Sequence, residues 1–151
     1  MKKIVQFALT SLIFSQMVLA GTEVNKIVCG ENVENREVIN PSDEFPNSLD
    51  RIYCLSSIKT DEAPTTVYHV WYYNGKEIAK VELPVNANSP SYRVWSSKKI
   101  IPSFTGDWKL VVEDKDGNVL GEKEFKVVKA EVNTEEEQSE NNKSENQEKE
   151  E

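Results

Sequence analysis

The sequence predicts an all-β fold, an antiparallel β-sandwich of about seven short strands packed in the immunoglobulin-like manner. Three observations carry the prediction. Asn74-Gly75 joins two β-rich runs, Thr66 to Tyr73 and Lys76 to Val85, with the strongest short-range hairpin signal. Asp116-Gly117 stands in the same relation to Asp107–Asp114 and Asn118–Val128. No amphipathic helical segment of ten residues occurs anywhere in the chain.

Met1 to Ala20 has the three parts of a secretory signal: Lys2 and Lys3, an apolar run from Ile4 to Leu19, and Val18-Leu19-Ala20 as a small-residue cleavage site before Gly21. The run is broken by Gln6, Thr10, Ser11, Ser15 and Gln16, which argues against a retained membrane anchor. Residues 1–20 are therefore expected to be removed, which places the mature chain in the periplasm or outside the cell, with no stable membrane insertion.

Residues 21–49 read as a polar, irregular lead-in with one short strand at Val33 to Ile39, pinned to the body by Phe45 and Leu49. The strands that follow are Arg51 to Ile58, the central hairpin, Tyr92 to Lys98 and the closing hairpin. Together they define a sandwich domain over residues 33–129. Residues 130–151 hold nine Glu and two Lys and are expected to be disordered. The tail and the two N-terminal lysines account for most of the formal charge of −8, so residues 21–129 are only mildly acidic. That body lacks the clustered cationic stripe a phosphate backbone demands, which excludes a nucleic-acid partner.

Cys29 and Cys54 are the only cysteines. An even count in an oxidising compartment points to a disulfide between them, worth about 3 kcal/mol for a loop of this length. Two free thiols, one of them nucleophilic, is the other reading, though neither has CxxC spacing.

The register of the central hairpin decides which side chains are candidates for function. A two-residue turn at Asn74-Gly75 opposes Trp71 to Ile78, Val70 to Ala79, His69 to Lys80 and Tyr68 to Val81. Ala79, Val81 and Leu83 then face the core with Val70 and Tyr68, and His69 and Trp71 point outward beside Lys80, Ile78 and Glu82. A three-residue loop would turn His69 and Trp71 inward. The two-residue turn is preferred, because Asn-Gly suits the two positive φ angles of a type I′ turn. In the closing hairpin a two-residue turn opposes Trp108 to Phe125, Lys109 to Glu124 and Val112 to Gly121, giving one buried face of Trp108, Leu110, Val112 and Phe125.

Read in order, His69-Val70-Trp71, Gly75-Lys76, Tyr92-Arg93-Val94-Trp95-Ser96-Ser97-Lys98, Gly106-Asp107-Trp108-Lys109-Leu110, Asp116-Gly117-Asn118-Val119-Leu120 and Phe125-Lys126-Val127 resemble the successive motifs of a bacterial family, domain of unknown function 2914. The resemblance covers about Val33 to Val128. It implies motif positions at His69, Trp71, Arg93, Ser96, Lys98 and Trp108, and no activity. The cysteine pair and the acidic tail are not part of the pattern.

The residues themselves weigh against catalysis. A hydrolase would need His69 as general base with Ser96 or Ser97 as nucleophile, yet there is no GxSxG elbow and no second histidine. No metal motif or cofactor motif is present: Asp114-Lys115-Asp116-Gly117 has its glycine too early for a calcium loop. The sequence thus predicts a monomeric, non-catalytic binding or assembly module of the bacterial cell envelope, with an envelope protein or glycan as partner. Its binding surface is expected at His69, Trp71, Lys80 and Arg93, and any aromatic left exposed beside Arg93 or Lys80 would add to it. A periplasmic hydrolase using His69 is the alternative.

Overall fold

The computed structural model describes residues 21–131. Residues 1–20, expected to be an export signal, and residues 132–151 of the acidic tail, expected to be disordered, lie outside the described residues. Every regular element among those described is a strand: β1 Thr22–Gly30, β2 Asn32–Glu34, β3 Glu37–Ile39, β4 Glu44–Pro46, β5 Arg51–Thr60, β6 Thr65–Tyr73, β7 Lys76–Val85, β8 Ser89–Lys99, β9 Gly106–Asp114 and β10 Val119–Val128. Two sheets form a sandwich, β1-β5-β8 and β4-β10-β9-β6-β7, and β2-β3 is a small separate hairpin. In immunoglobulin lettering β1, β5 and β8 take the A, B and E places, and β10, β9, β6 and β7 the G, F, C and C′ places. Strand β4 runs parallel to β10 and closes that edge of the larger sheet.

The lead-in is more regular than its composition suggests. Residues 22–30 form a nine-residue strand on the edge of the smaller sheet. A bulge between Val24 and Lys26 breaks its alternation of apolar and polar residues, which is why it reads as irregular. The single strand expected at Val33 to Ile39 is instead a tight hairpin turned at Asn35-Arg36, both at positive φ. Cys29 and Cys54 oppose one another directly on β1 and β5, with Cα atoms 4.1 Å apart, and are disulfide-bonded. The bridge therefore clips an edge strand to its neighbour within one sheet and does not cross the sandwich.

Alternate residues of β5, Ile52, Cys54, Ser56 and Ile58, are completely buried against the larger sheet. Facing them, Phe125 meets the edge of Trp71 at 6.3 Å between centroids, stacks on Trp108 at 5.9 Å and meets Phe45 at 5.7 Å. Aromatic side chains of this size each bury a large apolar area. Phe45 is buried and Leu49 packs against the core, the pinning roles expected of them.

Each hairpin carries one bulge, which shifts the register of the first and restores the expected register of the second. In the first, Asn74 and Gly75 take positive φ as a type I′ turn requires, and Tyr73 opposes Lys76 and Tyr72 opposes Glu77 as predicted. Ile78 is then the extra residue of a bulge, so Trp71 opposes Ala79 and His69 opposes Val81. The assignment of His69 and Trp71 to the outer face is thereby reversed, and Tyr68 and Val70 move outward in exchange. The neighbour on the other side explains the reversal: β9 sets Leu110 against Trp71 and Val112 against His69, both fully buried. A central strand must present one apolar face to both neighbours, and a single bulge on the edge strand β7 achieves this without giving up the favoured turn. In the second hairpin the loop holds three residues, Lys115 to Gly117, closed by the Asp114 carboxylate, which accepts from the Asp116 and Asn118 backbone N–H groups. A bulge at Leu120 compensates, so Trp108 opposes Phe125, Lys109 opposes Glu124 and Val112 opposes Gly121.

Candidate functional site

The four residues expected to share a surface lie in three places. His69 and Trp71 are fully buried between the sheets. Lys80 is on the outer face of the larger sheet, with Nζ 4.7 Å from the Tyr68 ring centroid and 3.3 Å from Glu113 Oε2. Arg93 is on the outer face of the smaller sheet, where Nη2 pairs with Glu37 Oε1 at 3.1 Å.

His69 and Trp71 belong to a polar chain that ties the two sheets together. Strand β6 of the larger sheet presents both, and β5 and β8 of the smaller sheet present Ser56 and Ser96 at inward positions. Ser56 Oγ is 2.8 Å from His69 Nε2, and Ser96 Oγ is 2.7 Å from His69 Nδ1. The Trp71 indole N–H donates to the same Ser96 oxygen at 3.1 Å. A neutral imidazole donates from one ring nitrogen and accepts at the other, so one of the two serine hydroxyls gives its proton to the ring and the other receives one from it. Every buried side-chain polar atom among the described residues has a partner, so the chain satisfies groups that would each cost about 1–3 kcal/mol if left unpaired. Burial holds the imidazole neutral by lowering its pKa to about 3, because the low-dielectric interior disfavours the cation. Three of the six motif positions, His69, Trp71 and Ser96, thus meet in one network, and a fourth, Trp108, packs in the same core. Ser56 is the member that sequence reading missed. Its signal was its even spacing from Ile52, Cys54 and Ile58, the apolar inward residues on either side of it.

The outer face of the smaller sheet has the character of a binding surface. Trp95 is 41% exposed, whereas the chain's other two tryptophans are 0% and 2% exposed. It projects from β8 two residues beyond Arg93 on the same face and opposes the buried Leu55 of β5. A groove of about 310 Å³ runs beside them, lined by Arg36, Ser89, Ser91, Tyr92, Arg93 and Trp95. The β2-β3 hairpin forms one wall and places Arg36 there, and a neighbouring groove of about 230 Å³ continues under it past Val38 and Leu55. Close approach of the hairpin depends on Gly30, where a methyl group would run into Val38 and the Ile39 carbonyl. The face is rich in hydroxyls: Ser57 and Ser91 share a hydrogen bond of 2.7 Å, and Arg51 Nε donates to Ser97 Oγ at 3.0 Å.

A wider concavity, about 690 Å³, borders Tyr72, Lys109 and Glu124 on the larger sheet. There Lys109 sits 5.2 Å from the Tyr72 ring centroid, and Lys126 lies 4.0 Å from Asp107. Its lining sets four carboxylates, Asp43, Glu44, Asp107 and Glu124, against Lys109 and Lys126 and has no exposed tryptophan, so the Trp95 face is the stronger candidate. Sequence reading anticipated an exposed aromatic beside Arg93 without identifying Trp95. Strand alternation on β8, with Val94 and Ser96 inward, is the signal that selects it.

Residues 64–127 match the model of a family described as Protein of unknown function (DUF2914). No curated protein matches the chain. The matched segment runs from β6 through most of β10 and is narrower than the resemblance from Val33 onward. It includes Arg93 and Trp95, whereas Ser56, the disulfide and the β2-β3 wall of the groove lie outside it.

Proposed function

We propose that this chain, whose residues 64–127 match the DUF2914 family of unknown function, is a non-catalytic binding module exported to the cell envelope. It engages an envelope partner through the outer face of β1-β5-β8, centred on Trp95 and Arg93. The observation that carries this reading is the exposure of Trp95 beside a guanidinium, in a chain that buries its other two tryptophans. Leaving a large aromatic in water forfeits the burial that normally favours it, and aromatic and arginine side chains are enriched where partners bind. Export is supported by the signal-like pattern of residues 1–20 and by a disulfide of the kind that persists in oxidising compartments. No helix among the described residues is long and apolar enough to cross a membrane.

One observation favours the hydrolase alternative: Ser96 Oγ lies within hydrogen-bond reach of His69 Nδ1. That reading requires substrate to reach a pair held between two sheets, with His69 fully buried. The binding reading requires no such opening.

Acrylamide quenching of tryptophan fluorescence tests the proposal, because the quencher reports chiefly on Trp95. Adding isolated cell envelopes should protect the fluorescence from quenching. Unchanged quenching, with the protein demonstrably sedimenting with the envelopes, would place the binding surface elsewhere.

A further inference from the structure

We infer that the ligand of the Trp95 face is an anionic polysaccharide, a polymer whose sugar rings carry carboxylate or phosphate groups; this rests on the reading of that face as the binding surface. The first argument is charge. The outer face of β1-β5-β8 carries Lys26, Arg51, Lys59, Arg93 and Lys99 against Glu23, a net of +4, and the β2-β3 hairpin packed on it, with Arg36 against Glu34 and Glu37, brings the sum to +3. The five strands of the other sheet carry a net of −3. In a chain with a formal charge of −8, one sheet is thus a cationic plate on an otherwise acidic molecule, and it attracts polyanions. The plate is too flat and too weakly charged for a nucleic-acid groove, but it suits a polymer with one charge per sugar.

The second argument is the chemistry of the surface. Trp95 is the one aromatic among the described residues that is more than a third exposed; on the same face its neighbour Leu55 is buried and Tyr53 is partly buried. So small an apolar patch is a poor anchor for a protein interface core or for insertion into lipid. It does suit the C–H face of one sugar ring. Arg93 lies about 7 Å away along the strand, within reach of an acidic substituent on the same or the next sugar, and its planar fork can bind a carboxylate bidentately. The hydroxyls of Ser57, Ser91 and Ser97 supply donors and acceptors to sugar hydroxyls, and Arg36 closes the groove from the hairpin side.

Glu37 makes the inference specific. It occupies Arg93 at 3.1 Å in an exposed ion pair with side chains 39% and 65% accessible, and such pairs contribute little to stability. An incoming carboxylate can therefore replace it at small cost. Removing the Glu37 charge should tighten ligand binding, whereas removing Arg93 should weaken it.

The test uses the full mature chain at low ionic strength, with polygalacturonate as probe, neutral dextran and polyglutamate as comparisons, and both Trp95 fluorescence and co-sedimentation as readouts. Polygalacturonate should bind saturably and change the fluorescence, and dextran should not. Arg93→Ala should weaken binding about tenfold, the effect of one charge-assisted hydrogen bond. Glu37→Gln should strengthen it, Trp95→Ala should abolish it, and 0.5 M salt should largely release the polymer. Equal binding of polyglutamate would overturn the sugar component, and binding indifferent to Trp95→Ala would overturn the site. Failure of polygalacturonate to bind, with envelopes still shielding Trp95 from acrylamide, would overturn the ligand class and leave the binding face standing. Loss of both would overturn the two together.

Discussion

His69 is the only histidine in the chain, and its burial makes stability depend on pH in a calculable way. Folded, its pKa is lowered to about 3; unfolded, it returns to about 6.5. The unfolded chain therefore binds the proton that the folded chain refuses. Above pH about 6.5 the stabilisation is complete, and it is lost as pH falls toward 3. Across that window the histidine contributes a slope of about 1.4 kcal/mol per pH unit, so acidification from pH 7.5 to 4.5 should cost about 2.5 kcal/mol from this group. Urea unfolding at a series of pH values measures the slope. Carboxylates also titrate in this range, so the comparison that matters is with His69→Gln, which keeps a neutral polar side chain and removes the titration. The variant should start less stable, because the links to Ser56 and Ser96 are rearranged, and should show a flatter profile between pH 6.5 and 4.5. Ring C–H signals of the single histidine, followed by NMR in the folded protein, should not titrate between pH 8 and 4.5. Parallel unfolding profiles for the two proteins, or a ring that titrates near 6.5, would refute the burial argument.

Trp71→Ala should cost about 3–5 kcal/mol by thermal or chemical unfolding, the range for a core aromatic; a cost below 1 kcal/mol would put Trp71 back on a surface. Replacing Cys29 and Cys54 together by serine should lower stability by about 3 kcal/mol, and the unreduced wild-type protein should show no free thiol in a titration. Gly30→Ala should lift the β2-β3 hairpin from the smaller sheet, costing about 1–3 kcal/mol and raising hydrogen exchange in residues 32–39.

Both hairpins were legible because their turn residues are chemically unambiguous, and the long strands on either side of them were correspondingly well placed. The faces were harder to read. A bulge is a one-residue decision made by the neighbouring strands, and Ile78 offers no local sign that it is the extra residue. Only the combined demand of Leu110 and Val112 on one side and Ala79, Val81 and Leu83 on the other fixes where Trp71 points. In the closing hairpin the same kind of bulge, at Leu120, cancelled a misjudged loop length, so Trp108 against Phe125 was right although the turn was not. The lead-in was illegible for a different reason: β2, β3 and β4 are three residues each, and strands so short are held by tertiary contacts more than by their own propensity. The candidate site was half legible. Arg93 was identified from its neighbours in sequence, but Trp95 could be selected over Trp71 only once the register had sorted exposed from buried.

The most direct test of the binding face compares two double variants in co-sedimentation with isolated envelopes. Arg93→Ala with Trp95→Ala strips the outer face of the smaller sheet, and Tyr68→Ala with Lys80→Ala strips the opposite face, where Lys80 sits over the Tyr68 ring. Thermal unfolding of each confirms that the fold survives. The first pair should lose envelope binding and the second should retain it. Loss of binding by the second pair alone would contradict the account and move the functional surface to the larger sheet.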